Sequence, residues 1–219
     1  MAMTATKQLD DICNQLQDDL SAMNVARNEA VTKSRELVRH CAESIRATHR
    51  REWEAVDEKL VVIRQLADHI KALTAQYPEL YHSGYTQDAL KEVVEAFITY
   101  AIIHEHSLPT ATELGVESST YLNGLAEAAT ELRRYILDIM RRDFNHSQEA
   151  ERLLNWMDAI YDQLVTFDFP DALTHGLRRQ TDIVRGVLER TRGDMTNSLR
   201  QQHLQEALRS VEEKLSQLS

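Results

Sequence analysis

A chain of 219 residues with 42% hydrophobic and 27% charged side chains has the size and composition of a globular protein with an adequate core. A formal net charge of −10 argues against a simple basic nucleic-acid-binding surface, though not against a local basic patch. No N-terminal apolar segment resembles a signal peptide, no run is long enough to span a bilayer, and Cys13 and Cys41 lack zinc-type spacing, so a cytoplasmic protein in a reducing compartment is expected.

Six glycines and three prolines leave room for long uninterrupted helices. Residues 5–50 contain neither, and Leu9, Ile12, Leu16, Leu20, Met23, Val31, Leu37, Val38 and Ile45 recur at helical spacing. A second helix is predicted over 51–76, carried by Trp53, Val56, Leu60, Ile63, Leu66, Ile70 and Leu73. Tyr77 and Pro78 end it, because the residue before proline disfavours the α region. Residues 78–85 read as a connection, and a third helix follows to His106. Pro109 and Gly115 mark a break with room for one short turn. A fourth helix is predicted over 118–144, and Asn145, His146 and Ser147 open a fifth that ends near Val165. Pro170 stops that one, and Asp171 begins the last, with a bend expected near Gly186 or Gly193.

No segment carries a strand period. The fold class is therefore all-α, an antiparallel bundle of six to seven long helices, with residues 1–219 as a single domain. The first and last helices are longer than one bundle needs. The apolar stripe Leu199, Leu204, Leu208, Val211, Leu215 and Leu218 is expected to pack on other copies of the chain.

Two glutamate pairs stand out. Glu95 is the only charged residue from Val93 to Ile103, and Glu127 and Glu131 are the only ones from Ser118 to Leu132. A carboxylate in so apolar a helix must be paired, protonated or bound to a metal. Spacings of three (Glu92, Glu95) and four (Glu127, Glu131) put each pair on one helix face. Two such helices facing each other would converge four carboxylates on one point, a site suited to a hard divalent cation such as Mg²⁺. The plain alternatives are a solvated stripe, favoured by Lys91 beside Glu92, and ion pairs of Glu127 and Glu131 with Arg133, Arg134 or an arginine of another helix.

Positive charge clusters in two places. Residues 33–51 hold Lys33, Arg35, Arg39, Arg46, Arg50 and Arg51 against Glu36 and Glu43, with His40 and His49 in addition. Residues 178–192 hold five arginines against Asp182 and Glu189. Either could follow a phosphate backbone, or be a solvated face laced with pairs one turn apart. His82, His104, His106, His146 and His175 raise a transition-metal site, and Glu79 with His82 has di-iron spacing, but that pair lies at a turn and has no second copy on a core helix. Trp53 and Trp156 read as core or subunit-contact residues. No glycine-rich phosphate loop, zinc motif or nucleophile elbow is present.

Four stretches resemble the translin/TRAX family, in particular its TRAX-like branch. Ser34-Arg35-Glu36 followed by His49-Arg50 is similar to that branch's first-helix pattern. Leu90 to Ala96 resembles the Glu-x-x-Glu-Ala motif. Tyr121 to Leu132 resembles Tyr-Leu-x-Gly-Val-x-Asp-x-x-x-Glu-Leu, and Arg178 to Arg192 has the place and charge of the last helix. The resemblance implies an all-helical subunit of a hollow, typically octameric homo-oligomer that binds single-stranded RNA or DNA. In the TRAX-like branch it also implies metal-dependent endoribonuclease activity.

Under that resemblance Glu92, Glu95 and Glu127 are metal ligands and catalytic, and Glu131 is a fourth ligand or the base. Arg35, Arg39, His49 and Arg50 are the expected nucleic-acid contacts. Glu127 departs from the family's aspartate and keeps the charge with one more methylene. Mg²⁺ demands near-ideal octahedral geometry, so Mn²⁺ is the alternative ion. A non-catalytic binder of single-stranded nucleic acid and a helical scaffold are the rival functional classes.

Overall fold

The computed structural model describes residues 2–142 and 148–217, all in helices or the short links between them. Six long helices make up the body: α1 (Ala2–Arg50), α2 (Trp53–Thr74), α4 (Gly84–Ile103), α6 (Ser118–Arg142), α7 (Gln148–Leu164) and α9 (Leu177–Ser216). The adjacent α4, α6 and α9 run in the same direction and not antiparallel: Thr120 bonds Gln87, Gly124 abuts Lys91 and Val94, Gln180 bonds Glu127, and Arg133 bonds Thr191. Three single turns sit in the links: α3 (Pro78–Tyr81), α5 (Ala111–Leu114) and α8 (Asp171–Thr174). The predicted end of the fourth helix at Phe144, the predicted opening of the fifth at Asn145 to Ser147, His146, and Leu218 of the last stripe lie outside the described residues.

Two apolar clusters form the core. One joins α1, α2 and α4 around Leu37, Cys41, Ile63, Ile70 and Leu90. The other joins α4, α6, α7 and α9 around Ile98, Ile102, Leu132, Met157 and Val184. Trp53, Phe97 and Val116 pack against both. Helix α4 lies between the clusters and is buried on more than one face, which explains why its sequence is apolar almost all round.

The links use recognisable stops. Arg51 takes the left-handed conformation (φ 60°) at the α1–α2 corner, and the Glu52 amide returns to the Ala47 carbonyl at 3.0 Å. The Arg51 guanidinium then covers the Tyr135 ring of α6 and pairs with Glu149 of α7, so the corner is tied to both helices. Thr110 and Glu113 form a reciprocal capping box before α5, and Gly115 closes that turn in the left-handed region.

One sequence expectation changes at the C-terminal end. Asp171 opens only the single turn α8; His175 and Gly176, both with positive φ, break the chain, and the long helix starts at Leu177. Where a bend was expected near Gly186 or Gly193, α9 continues as α-helix through both. Val184, Val187, Leu188, Thr191 and Met195 are buried along this stretch, and their packing outweighs the modest helix penalty of glycine. The first half of α1 and the last part of α9 project from the bundle. Leu9, Ile12, Leu16, Leu20, Leu204, Leu208, Val211 and Leu215 are exposed on them.

Candidate metal centre

The site lies between α4 and α6. Gly124 sets their separation: a Cβ built there would fall 2.6 Å from Val94 Cβ and 2.8 Å from the Lys91 carbonyl oxygen. The absence of a side chain lets the two backbones approach this closely. One turn further along each helix come the acids. Carboxylate oxygens of Glu92, Glu95 and Glu127 all lie within 4.8 Å of one another, and this is the one such group of three or more metal-capable side chains among the described residues.

The electrostatics follow from burial and crowding. Glu95 is 8% exposed, and desolvation, followed by the charges of Glu92, Glu127 and Glu131, pushes its carboxyl up to about 8. Glu92 is raised as well, first by burial and then by Glu127. On the α1 side, burial and the same two α4 acids push the Cys41 thiol far up, so this cysteine stays a neutral core group. Cys13 is exposed.

Glu127 does not pair with Arg133 or Arg134. Its Oε1 accepts from Lys91 Nζ at 2.8 Å and from Gln180 Nε2 at 3.2 Å. Burial pulls the Lys91 ammonium down, but Glu127, Asp88 and Glu92 together outweigh it and raise it. Glu131 stands apart from the triad. Its Oε2 is 2.9 Å from His49 Nε2, and Arg134 is 3.8 Å away. Arg133 turns instead to Thr191 and Asp194 of α9.

The expected nucleic-acid contacts separate into two kinds. Arg35, Arg39 and Arg50 are exposed and, with Arg46, recur at spacings of four, seven and four along one face of α1. That face points away from the bundle side that carries Cys41. His49 is different. It is 5% exposed, packs edge-on against Tyr135 at 5.5 Å and hydrogen-bonds Glu131, so it is a core partner of a candidate catalytic acid and not a surface contact. Its neighbours Arg50 and Arg51 in sequence gave no sign of this; its helical position, on the side of Ile45 and away from the arginine row, did.

Gln180 carries no signal in the sequence, and Lys91 reads there only as a mark of a solvated stripe. Lys91 is one position from Glu92 and one turn before Glu95, which is the signal that could have found it. The histidines do not assemble a metal site among the described residues. His104 and His106 contact each other at 2.6 Å and stack with Tyr100 and Trp53 at the C-terminal end of α4. Glu79 and His82 remain at the α3 turn. No described helix is long and apolar enough to cross a membrane.

No family profile matches the chain. It is 34% identical over 210 residues to an uncharacterized protein of Methanocaldococcus jannaschii, covering 94% of this chain and 91% of that one. Among solved structures it resembles AfC3PO, with a TM-score of 0.76 and 34% identity over 84% of this chain and 95% of the other. AfC3PO is also known in complex with duplex RNA, and that structure matches with a TM-score of 0.75. Apo-NeC3PO shares the fold, with a TM-score of 0.75 at 21% identity. Extensive sequence identity to AfC3PO, together with the shared all-α architecture, places the chain in the translin family.

Proposed function

We propose that the chain is a TRAX-like, metal-dependent endoribonuclease that cleaves single-stranded RNA inside a homo-oligomeric helical cage, an octamer being the favoured assembly. The observation that carries this reading is the triad of Glu92, Glu95 and Glu127 with oxygens within 4.8 Å of one another on two buried helices. Three carboxylates with one lysine as their near cation, one of them pushed up to about 8 by its neighbours, form a donor set that a hard divalent cation would relieve.

Glu92, Glu95 and Glu127 would hold Mg²⁺, with Mn²⁺ as the alternative. Such an ion supplies Lewis acidity, drawing charge from a phosphate oxygen and making a water more acidic. Glu131, kept out of the triad by His49, is the carboxylate left to accept a proton from the attacking group. The exposed arginine row of α1 supplies counter-charge for an RNA backbone, giving binding that weakens with salt and reads little sequence. The duplex-RNA complex of AfC3PO supports RNA as the ligand class. The aliphatic stripes projecting on α1 and α9 support assembly, since apolar surface of this extent is usually covered.

The direct test is incubation of an end-labelled single-stranded RNA with the protein in Mg²⁺, in Mn²⁺ and in EDTA, beside the Glu95→Gln variant. Metal-dependent fragments that vanish in the variant are expected; cleavage that persists in Glu95→Gln sinks the assignment. One observation favours the second reading, a translin-like binder that does not cut: Lys91 already neutralises Glu127. A retarded RNA band without fragments in either metal is its signature.

A further inference from the structure

Beside the carboxylates a cleft of about 680 Å³ opens between α4, α6 and α9. That volume is in the range of small-ligand sites. Its wall is continuous with the acid triad, because Lys91 and Gln180 line the cleft and both bond Glu127. Arg179 reaches into it from α9, exposed and without a hydrogen-bond or ion-pair partner among the described residues. His82 and His175 stand at its edge, and the acids Asp88 and Glu117 are on its exposed rim.

The rest of the lining suits a nucleotide. Asn123 and Thr120, both 6% exposed, form its polar floor: the Asn123 amide donates to the Ser119 and Thr174 carbonyls and the Thr120 hydroxyl to Gln87, so they can offer a base only acceptor oxygens, while Ile183, 41% exposed, offers an aliphatic surface against which a base can lie. The backbone adds to the field of the cations. Lining residues come from the first turns of α4, α6 and α9, so three long helices direct their N-terminal ends at one cavity. Neither Ser83 before α4 nor Gly176 before α9 caps its helix with a side chain.

We propose that this cleft seats a phosphate-bearing nucleotide of the RNA strand next to the bond being cut, with Arg179 and Lys91 as its cations. The proposal rests on the nuclease reading and adds to it a defined strand position. It also makes Lys91 a shared element. Its ammonium stands between Glu127 and the cleft, so a divalent ion on Glu127 and a phosphate in the cleft each draw Lys91 the same way. RNA and metal therefore bind with positive coupling, and by linkage each tightens the other.

The test is fluorescence anisotropy of a labelled single-stranded RNA, in EDTA and in Ca²⁺, on the full chain. Arg179→Ala removes the free cation. Gly84→Phe fills the mouth, since a Cβ at Gly84 meets nothing within 4 Å. Arg141→Ala is the control, because Arg141 is exposed, pairs with Asp138 and lies at the C-terminal end of α6, far from the cleft at the start of that helix. Arg179→Ala and Gly84→Phe are expected to weaken RNA binding by about tenfold, as for one lost charge-assisted contact, with the control unchanged. Equal affinity of wild type and both variants overturns the cleft while leaving the nuclease reading intact. Failure of the wild type to bind RNA overturns both. An added arm titrates adenosine 5′-monophosphate: saturable binding that Arg179→Ala abolishes, without any effect of that variant on the RNA strand, reassigns the cleft to a free mononucleotide and overturns the strand position.

Discussion

His49 Nε2 meets Glu131 Oε2 at 2.9 Å, joining the end of α1 to the middle of α6 across 82 positions of sequence. The imidazole is almost wholly buried, while the carboxylate keeps partial access to solvent. His49 thereby fixes Glu131 outside the 4.8 Å group of the triad, while its charge still raises Glu92 and Glu95. Replacing His49 with alanine strips a half-buried acid of its main partner. The expected loss of stability is about 1–3 kcal/mol, the usual penalty for an orphaned buried polar group. Urea unfolding of His49→Ala checks it, with His49→Gln as the variant that keeps a donor. RNA affinity should stay unchanged in both, because the side chain does not reach the surface.

Glu95 gives stability a pH slope of definite sign. Its folded carboxyl is pushed up to about 8, above the ordinary value of 4.5. Between those two values the unfolded chain has released the proton that the folded chain retains, so stability falls as pH rises through that window and levels off above it. Glu95→Gln should be no more stable than wild type near pH 4 and more stable at pH 8.5, by a margin on the order of a few kcal/mol. Unfolding midpoints in EDTA across this range are the measurement. Saturating Mg²⁺ favours the ionised carboxylate and should flatten the wild-type slope. A slope identical in Glu95→Gln would remove Glu95 as its cause.

Two glycines in long helices should respond oppositely to alanine. At Gly124 the added methyl runs into Val94 and the Lys91 carbonyl, and α4 and α6 must separate, with an expected destabilisation of about 1–3 kcal/mol. At Gly193 nothing lies within 4 Å, so Gly193→Ala should stabilise by about 0.4–1 kcal/mol. Isothermal titration of Mn²⁺ adds the functional readout, with affinity reduced in Gly124→Ala and retained in Gly193→Ala.

Lys91→Met removes the cation that shares Glu127. Metal affinity is then expected to rise severalfold, since the ion no longer competes with an ammonium, while RNA affinity falls. The two changes in opposite directions separate this from simple damage to the site. Calorimetry with Mn²⁺ and anisotropy with RNA decide it; weaker metal binding in Lys91→Met would contradict the competition.

A chain ending at Gln201 lacks Leu204, Leu208, Val211 and Leu215 but keeps every buried residue of α9. Its helical bundle should stay folded by circular dichroism while sedimentation velocity shows a smaller assembly than the full chain forms. Unchanged sedimentation would mean that the stripe contacts nothing in the oligomer.

The parts legible in sequence are those set by local pattern. Glu95 in an unbroken apolar run, and Glu127 in another, announce themselves because a lone acid in such a helix needs an explanation. Long helices follow from periodicity and scarce breakers. What stayed hidden depends on which helix meets which. Lys91 looked like a sign of solvent, because nothing in its own segment says that Glu127 of another helix will receive it. His49 was grouped with the arginines beside it although it stands one turn after the buried Ile45, and only the meeting of α1 with α6 gives it Glu131. The break at His175 was missed because a residue in the left-handed region leaves no periodic trace, and the continuity of α9 through two glycines was decided by packing on α6 and α7.

Each of Glu92, Glu95, Glu127 and Glu131 projects from the interior of a long helix; none sits on a loop. The gap between α4 and α6 is closed by direct contact at Gly124, so their spacing can change only if whole helices shift. Such a site cannot fray on its own. On heating, the ability to hold an ion should survive until the core itself melts and then disappear with it in a single event.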